Sequence, residues 1–497
     1  MKNILLLGAG KSATVLIDYL KDLITKRHWT LTVADANLSM AQAKVGTLPH
    51  AQAVQFVAEE TEKRQALIKK ADIVISMLPP ALHYMVALDC IHFKKNLLTA
   101  SYTDETIKKH ATEIKEKELL FLYEMGLDPG IDHMSAMQLI HRIKREGGMI
   151  TSFASHCGGL IAPESDDNPW HYKISWNPKN IILAGKAGAV YKKNGAIVKV
   201  PYESLFNANN LVQTNDGELY AFYPNRDSLQ YMPLYGLDDT NSFMRTTLRH
   251  PDFSFGWKNI VDLHLTNEAK VYQTDGMSIA DFFKLHFKKY GFEDWLNQML
   301  LSRLSFAKEM MEKLAALINA EDEAGDAMDK EMMMVDEEGK LNNVHIDDVK
   351  NKAAETAAYQ MHEANLGLKQ LFFLGMNDDT LINKGLCSAA DVLQFILENK
   401  LALQPGDKDM IVMLHEIVYE LDGDEKKVSS LLKLIGENDI RTAMATTVGL
   451  PLGIAAKLIL ENEIHEKGLL IPTLPSIYEP VLKELTQHGI QFKESNT

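Results

Sequence analysis

The sequence predicts an α/β protein: a doubly wound parallel sheet, an α+β part and an inserted helical block. Three observations predict it. Short apolar runs alternate with helical patterns over the first 124 residues. Near residue 149 the texture changes to stretches rich in Gly, Asn, Pro and aromatics. A mostly helical block, 276–400, then sits between two sheet-forming stretches. Parallel strands buried on both faces read as continuous apolar runs, which is the pattern of the first part.

Taken in order, ILLLG reads as a strand and SATVLIDYLKDLI as a helix. LTVAD and LSMAQAKVG repeat the pair. DIVISMLP, NLLTA and LLFLY are three more short apolar runs with helical patterns between them. GAIVKV and ELYAFYP are short strands of the second part. In the helical block, the acidic flanks of the run Met332–Met334 place it on a partly exposed helix or loop. DMIVMLHEIVYELDG reads as a strand, and its Leu-Asp-Gly turn hands over to a partner, KKVSSLLKLIG. Residues 441–497 read as helical again.

The chain has 497 residues, enough for two to four domains at roughly 100–200 residues each. Its net charge of −15, from 52 basic and 67 acidic residues, argues against nucleic-acid or membrane partners. Three cysteines without paired spacing, Cys90, Cys157 and Cys387, suit a reducing, cytoplasmic setting and offer no metal site. The N-terminal run ILLL is short, and Asp18 and Lys21 lie in the pattern behind it, so it reads as a strand and not as a signal peptide. No apolar stretch reaches about 18 residues, so no membrane span is expected.

Residues 8–13 read GAGKSA, between a strand and a helix. Gly8 permits a tight turn, Gly10 lets a pyrophosphate approach the backbone, and Ala13 lets the helix pack closely. Amides at the helix start then face the phosphates. Asp35 ends the second strand, where a carboxylate binds an adenosine ribose and repels a 2′-phosphate. The next basic residue is Lys44, nine positions on. NAD is therefore expected over NADP. The loops SMLPP (76–80), Ser101–Tyr102 and GLDPGIDHM (126–134) all leave strand ends, so they converge on one crevice at the sheet's carboxyl edge.

In the second part, SHCGGLIAPESDDNPW (155–170) and KISWNP (173–178) read as turn-rich and polar. YPNRDS and MRTTLRH bring Arg226, Arg245 and Arg249, a set suited to a substrate with several carboxylates. Cys157 is either a small buried residue or a reactive thiol.

These phrases, in this order, resemble the glutamate-forming saccharopine dehydrogenase (saccharopine reductase) family: GAGKSA, ISMLP, TASYT, EMGLDPGIDHM, CGGLIAPESDDNPWHYKISW, YPNRDS, RTTLRH, KDMIVM and AMATTVGLPLGIAAKLIL. The resemblance implies a Rossmann domain over 1–125 completed by 440–497, a substrate and dimerisation domain over 126–275 and 400–440, and a helical insertion over 276–400. It implies a homodimer. It places phosphates on Gly10, Lys11, Ser12 and Ala13, the ribose on Asp35, and the cofactor against Met77 and Leu78. Leu127, Asp128, Pro129 and Asn177 would lie by the nicotinamide. Saccharopine would touch Ser101, Tyr102, Asp128, Arg226, Thr247, Leu248 and Arg249. Asp128 and Cys157 are the expected catalytic residues, while Asp132 and His133 are read as capping the next helix. NADP-using members carry a short basic phrase where this chain has Asp-Ala-Asn. Two rivals are a carboxynorspermidine dehydrogenase-like enzyme and a non-catalytic NAD sensor. The first would leave arginines unpaired, and the second needs no second polar crevice.

Overall fold

A computed structural model describes residues 1–324, 331–335 and 341–496. The chain divides into two compact units, one formed by 1–167, 171–251 and 401–497, the other by 168–170 and 252–400.

The first unit contains two sheets. Strands β1 (Asn3–Leu7), β2 (Thr30–Asp35), β3 (Ala51–Gln55), β4 (Ile73–Ser76), β5 (Asn96–Thr99) and β6 (Leu120–Leu122) are all parallel. With Gly468–Leu470 at the edge, they lie in the order 468–470, β6, β5, β4, β1, β2, β3. The order reverses at β1, which pairs with β2 on one side and β4 on the other. A crevice opens at such a switch point. Both faces of β1 are covered, as its apolar run requires. Ile4 and Leu6 pack with Leu16 and Leu20 of the helix Thr14–Arg27, while Leu5 and Leu7 pack with Val86 and Cys90. The last 57 residues are not all helical: Gly468–Leu470 joins β6, and Lys493–Asn496 joins the second sheet. These strands are too short to carry a period.

One apolar stretch does reach 18 residues, against expectation: the helix Ala443–Leu460 has a mean hydropathy of 1.7, enough for a membrane span by length and composition, yet 83% of it is buried inside the fold. It lies against Leu16 and Tyr19 of the helix Thr14–Arg27, where a Cβ on Gly449 would come within 3.0 Å of Leu16 and one on Gly453 within 2.6 Å of Tyr19.

The second sheet is mixed and has nine strands. Its longest members are β7 (Met149–Ile161) and the hairpin Asp409–Leu421/Asp424–Ile435. The hairpin and its Asp-Gly turn are as expected, with Asp422 in the left-handed region. The stretch from Ser155 is not turn-rich until after Ile161. It is the second half of β7, paired on both sides as far as Cys157 and with Asp409–Val412 from Gly158 to Ile161. Polar residues in a sheet that is buried on both faces hid this strand.

The second unit is helical, with Trp295–Ala324 and Ile346–Phe373 as its longest helices. It takes in residues 252–275, which the sequence reading assigns to the α+β part, because Phe253 and Trp257 stack at 5.2 Å in an aromatic core with Trp170. The methionine run lies on a strand, Glu331–Val335, paired with Leu341–His345, rather than on a helix or loop. The acidic residues at 325–330 and 336–340 that flank it lie outside the described residues.

Candidate active site

The glycine turn follows β1. Gly8 has φ +101°, and a Cβ there would sit 2.8 Å from the Met77 carbonyl, so both conformation and space demand glycine. No atom lies within 4 Å of the Cβ that Gly10 lacks, which leaves its front open to a ligand. Lys11, Ser12 and Ala13 form one short helical turn, with Lys11 exposed and Ala13 buried beneath it, leading into Thr14–Arg27. The Asp35 carboxylate accepts from the Ala9 amide at 2.6 Å and the Asn37 amide at 2.8 Å. It therefore braces the turn from the end of β2. An open turn, a helix start and a carboxylate in this relation fit a dinucleotide.

Lys44 is distant from Asp35 only along the chain. Its Nζ donates to the Gly10 carbonyl at 2.6 Å, and its charge interacts with Asp35. Met77 and Leu78, at the end of β4, are half-buried on opposite faces of the sheet.

Behind Ser101 lies a histidine the sequence did not flag. His83 Nε2 is 2.7 Å from Ser101 Oγ and its Nδ1 is 2.8 Å from Ser76 Oγ. Burial pushes His83 down to about 4, so it is neutral at physiological pH.

The loop after β6 is folded tightly on itself. The Gly126 amide bonds the Pro129 carbonyl, and a Cβ on Gly130, at φ +149°, would lie 2.1 Å from the Gly126 carbonyl. This holds Asp128 in place, while Leu127 and Pro129 are buried. Asp128 Oδ1 accepts from Tyr102 Oη at 3.2 Å and from Arg245 Nη2 at 2.7 Å. The same Arg245 nitrogen donates to Asp132 Oδ2 at 2.6 Å. Arg226, exposed, lies over the Tyr102 ring at 4.6 Å. The Asp128 side chain is 12% exposed and that of Asp132 is 1% exposed, so only Asp128 can meet a substrate.

Burial pushes the Asp128 carboxyl up, to about 6. Arg245 opposes this and the Asp132 charge adds to it. Asp132 is held low despite burial by His133, Arg245 and the Gly130 amide.

Several expectations change. Asp132 does reach a free amide at the helix start, that of Gly130 at 2.6 Å, but its other oxygen is an ion-pair partner. His133 does not cap the helix. It is fully buried, with Nε2 2.9 Å from Glu124 and Nδ1 2.5 Å from Tyr235 Oη. Tyr231 donates to the same Glu124 oxygen at 3.0 Å. Arg245 is engaged by two carboxylates of the chain, so the set of arginines facing outward shrinks. Arg249 is buried over the Tyr172 ring at 5.4 Å, and its Nη1 donates to the Leu248 carbonyl. The Leu248 side chain packs into a separate core with Leu160 and Val412, so only its backbone is available to the crevice. Thr247 pairs directly with Cys157 across the strands. Cys157 is buried, and burial raises its thiol well above the ordinary value, with Asp128 and Asp132 adding to the rise. A thiol so held is protonated and a poor nucleophile. Asn177 is exposed and caps the short helix Pro178–Leu183 through the Lys179 amide at 3.0 Å.

Arg245, Thr247 and Arg249 stand two residues apart along the strand Ser242–Arg249, and that spacing of two could have signalled that they share a face. His83 and Glu124 gave no signal, since their partners lie on other elements of the fold, while Lys44, nine positions from Asp35, reads as remote along the chain.

Residues 4–122 match the saccharopine dehydrogenase NADP binding domain, and 126–490 the saccharopine dehydrogenase C-terminal domain. The chain is 31% identical to the Saccharomyces cerevisiae protein named saccharopine dehydrogenase [NADP(+), L-glutamate-forming], covering 99% of both. It is 32% identical to the Arabidopsis thaliana alpha-aminoadipic semialdehyde synthase over 99% of its own length, but it spans only 44% of that protein. The structure of apo saccharopine dehydrogenase (L-Glu forming) from Saccharomyces cerevisiae matches with a TM-score of 0.76 at 28% identity, covering 100% of both chains.

Proposed function

The chain belongs to the saccharopine dehydrogenase family, and from that premise we propose that it interconverts saccharopine and water with L-glutamate and L-2-aminoadipate 6-semialdehyde. The observation that carries this reading is Asp128: a carboxylate raised to about 6, partly open, and fixed by Tyr102 and Arg245 where the sheet's crevice ends.

Saccharopine is a secondary amine with three carboxylates. When bound, the dinucleotide supplies the two-electron acceptor for a hydride from a carbon on the amine nitrogen. The residues of this chain do the rest. Ionised Asp128 accepts the amine proton as the substrate becomes an imine. It then steers a proton from the water that adds to the imine carbon. The carbon–nitrogen bond breaks, the nitrogen leaves on glutamate, and the carbon becomes the aldehyde. Tyr102, kept protonated by burial, orients Asp128 through its hydroxyl. Arg226 and Arg249 hold substrate carboxylates, with Ser101 and Thr247 beside them. Cys157 lines the site as a small apolar neighbour.

The nucleotide we propose is NAD. The Asp35 carboxylate stands where a 2′-phosphate would be repelled, although the fungal relatives carry NADP(+) in their names. We further propose a homodimer, and a cytoplasmic setting that suits three buried, unpaired cysteines.

The test is initial rates with saccharopine and each nucleotide, with glutamate and the semialdehyde identified as products. Absence of turnover with both would end the proposal. Equal or better use of NADP would end its NAD part alone, and Asp35→Ala is expected to narrow the gap between the two.

A further inference from the structure

We propose that Lys44 is a second determinant of nucleotide choice: its ammonium offers a cation to a 2′-phosphate on the adenosine ribose, beside the carboxylate that repels it. The inference rests on the nucleotide site described above and deepens it.

Lys44 lies in the last turn of the helix Leu38–Val45. Its side chain runs back to the glycine turn, where Nζ meets the Gly10 carbonyl at 2.6 Å. Asp35 bonds the preceding residue of the same turn, through the Ala9 amide at 2.6 Å. A carboxylate and an ammonium thus grip adjacent residues of one turn. Asp35 ends β2, the neighbour of β1, so both groups lie on the β2 side of the turn, where the adenosine ribose of a dinucleotide on such a sheet is bound. Lys21 Nζ donates to the Lys44 carbonyl at 3.0 Å and steadies the end of the helix.

Burial draws the Lys44 ammonium below the ordinary lysine value, and the carboxylates that face it, Asp35 and Asp18, oppose this and favour its charged form. An ammonium has three donors, and Gly10 takes one of them. The other two suit phosphate oxygens. A carboxylate alone would exclude a 2′-phosphate. A carboxylate with an ammonium beside it discriminates weakly, so NADP is tolerated although NAD is preferred.

The experiment measures Kd by calorimetry on the full chain for adenosine 5′-monophosphate and adenosine 2′,5′-bisphosphate. These probes isolate the 2′-phosphate without turnover. Lys44→Gln can still donate to the Gly10 carbonyl but has no charge. It is expected to weaken the bisphosphate about five- to ten-fold, the scale of a charge-assisted contact, and the monophosphate less than two-fold. Lys44→Arg should keep the wild-type ratio. Lys26→Met, which removes an exposed charge at the far end of the neighbouring helix, should leave both constants alone. If Lys44→Gln moves both ligands equally, or neither, Lys44 is only a brace for the turn and the proposal is wrong. If the wild-type protein binds neither fragment, the proposal falls with the nucleotide site. The NAD reading is decided separately by the rates: NADP could win there while the Lys44 ratio still behaves as stated.

Discussion

Asp128 and Asp132 share a single nitrogen of Arg245, at 2.7 and 2.6 Å, yet their carboxyls are displaced in opposite directions. Two carboxylates held by one cation resist sharing full charge. The more buried one, with a backbone amide of its own, stays ionised, and the partly open one is pushed towards neutrality. The crevice therefore contains one acid that can change state near physiological pH.

Asp128→Asn should lower kcat with the fold and nucleotide binding intact. The amide keeps the shape but cannot accept a proton. General acid–base catalysis is worth about 10²–10⁴-fold, which bounds the loss. The carboxyl sits near 6 and acts as a base when ionised, so the wild-type rate should fall as pH drops through about 6. That limb should vanish in the mutant. An unchanged limb with unchanged kcat would reduce Asp128 to a structural turn residue.

Arg245→Met removes the cation from two buried carboxylates. Losing one partner of a buried pair costs about 3–5 kcal/mol, so the melting temperature should fall several degrees. Arg245 lowers Asp128, so its loss should also move the acidic limb of kcat/KM to higher pH. A destabilised protein with its limb in place would show that burial alone sets Asp128.

Arg226→Ala should raise the KM for saccharopine about ten-fold and leave the nucleotide Kd unchanged, the scale expected for a partly solvated charge-assisted contact. Arg226 is the cleaner test, because it is exposed and stacked on Tyr102, whereas Arg249 is buried and its removal would also disturb packing. Wild-type saccharopine kinetics would mean that Arg226 is merely solvated.

His415 is fully buried, 2.7 Å from Ser135 Oγ, and burial pushes it from 6.5 down to about 4. A depressed histidine contributes stability that is intact above about 6.5 and is lost as pH falls towards 4, because the unfolded chain takes up the proton first. At about 1.4 kcal/mol per unit, roughly 2–3 kcal/mol is lost over that window. His415→Phe should therefore flatten the decline in melting temperature between pH 6.5 and 4.5. An identical decline in the mutant would place the acid sensitivity elsewhere, with His83 the next residue to test.

What the sequence determined by itself was local. Five of the six parallel strands (all but Ala51–Gln55, whose AQAVQ is no apolar run), the glycine turn, the Asp-Gly hairpin and the loop around Asp128 are each specified within a few residues, through apolar runs or turn chemistry. The family could be read for the same reason, since its phrases are contiguous. Only the tertiary structure decided which charges meet. Arg245 finds Asp128 from 117 positions away, and Lys44 finds Gly10 from 34. Spacing along the chain made Lys44 look remote from the ribose site and Arg245 look open to a substrate. It also gave β7 the look of a turn-rich stretch, because residues such as His156, which bonds Thr246 at 2.7 Å, are satisfied only across strands. Burial depends on everything packed around a group, so the state of Asp128, Asp132, His83 and Cys157 could be settled only once the two sheets of the first unit had closed over them.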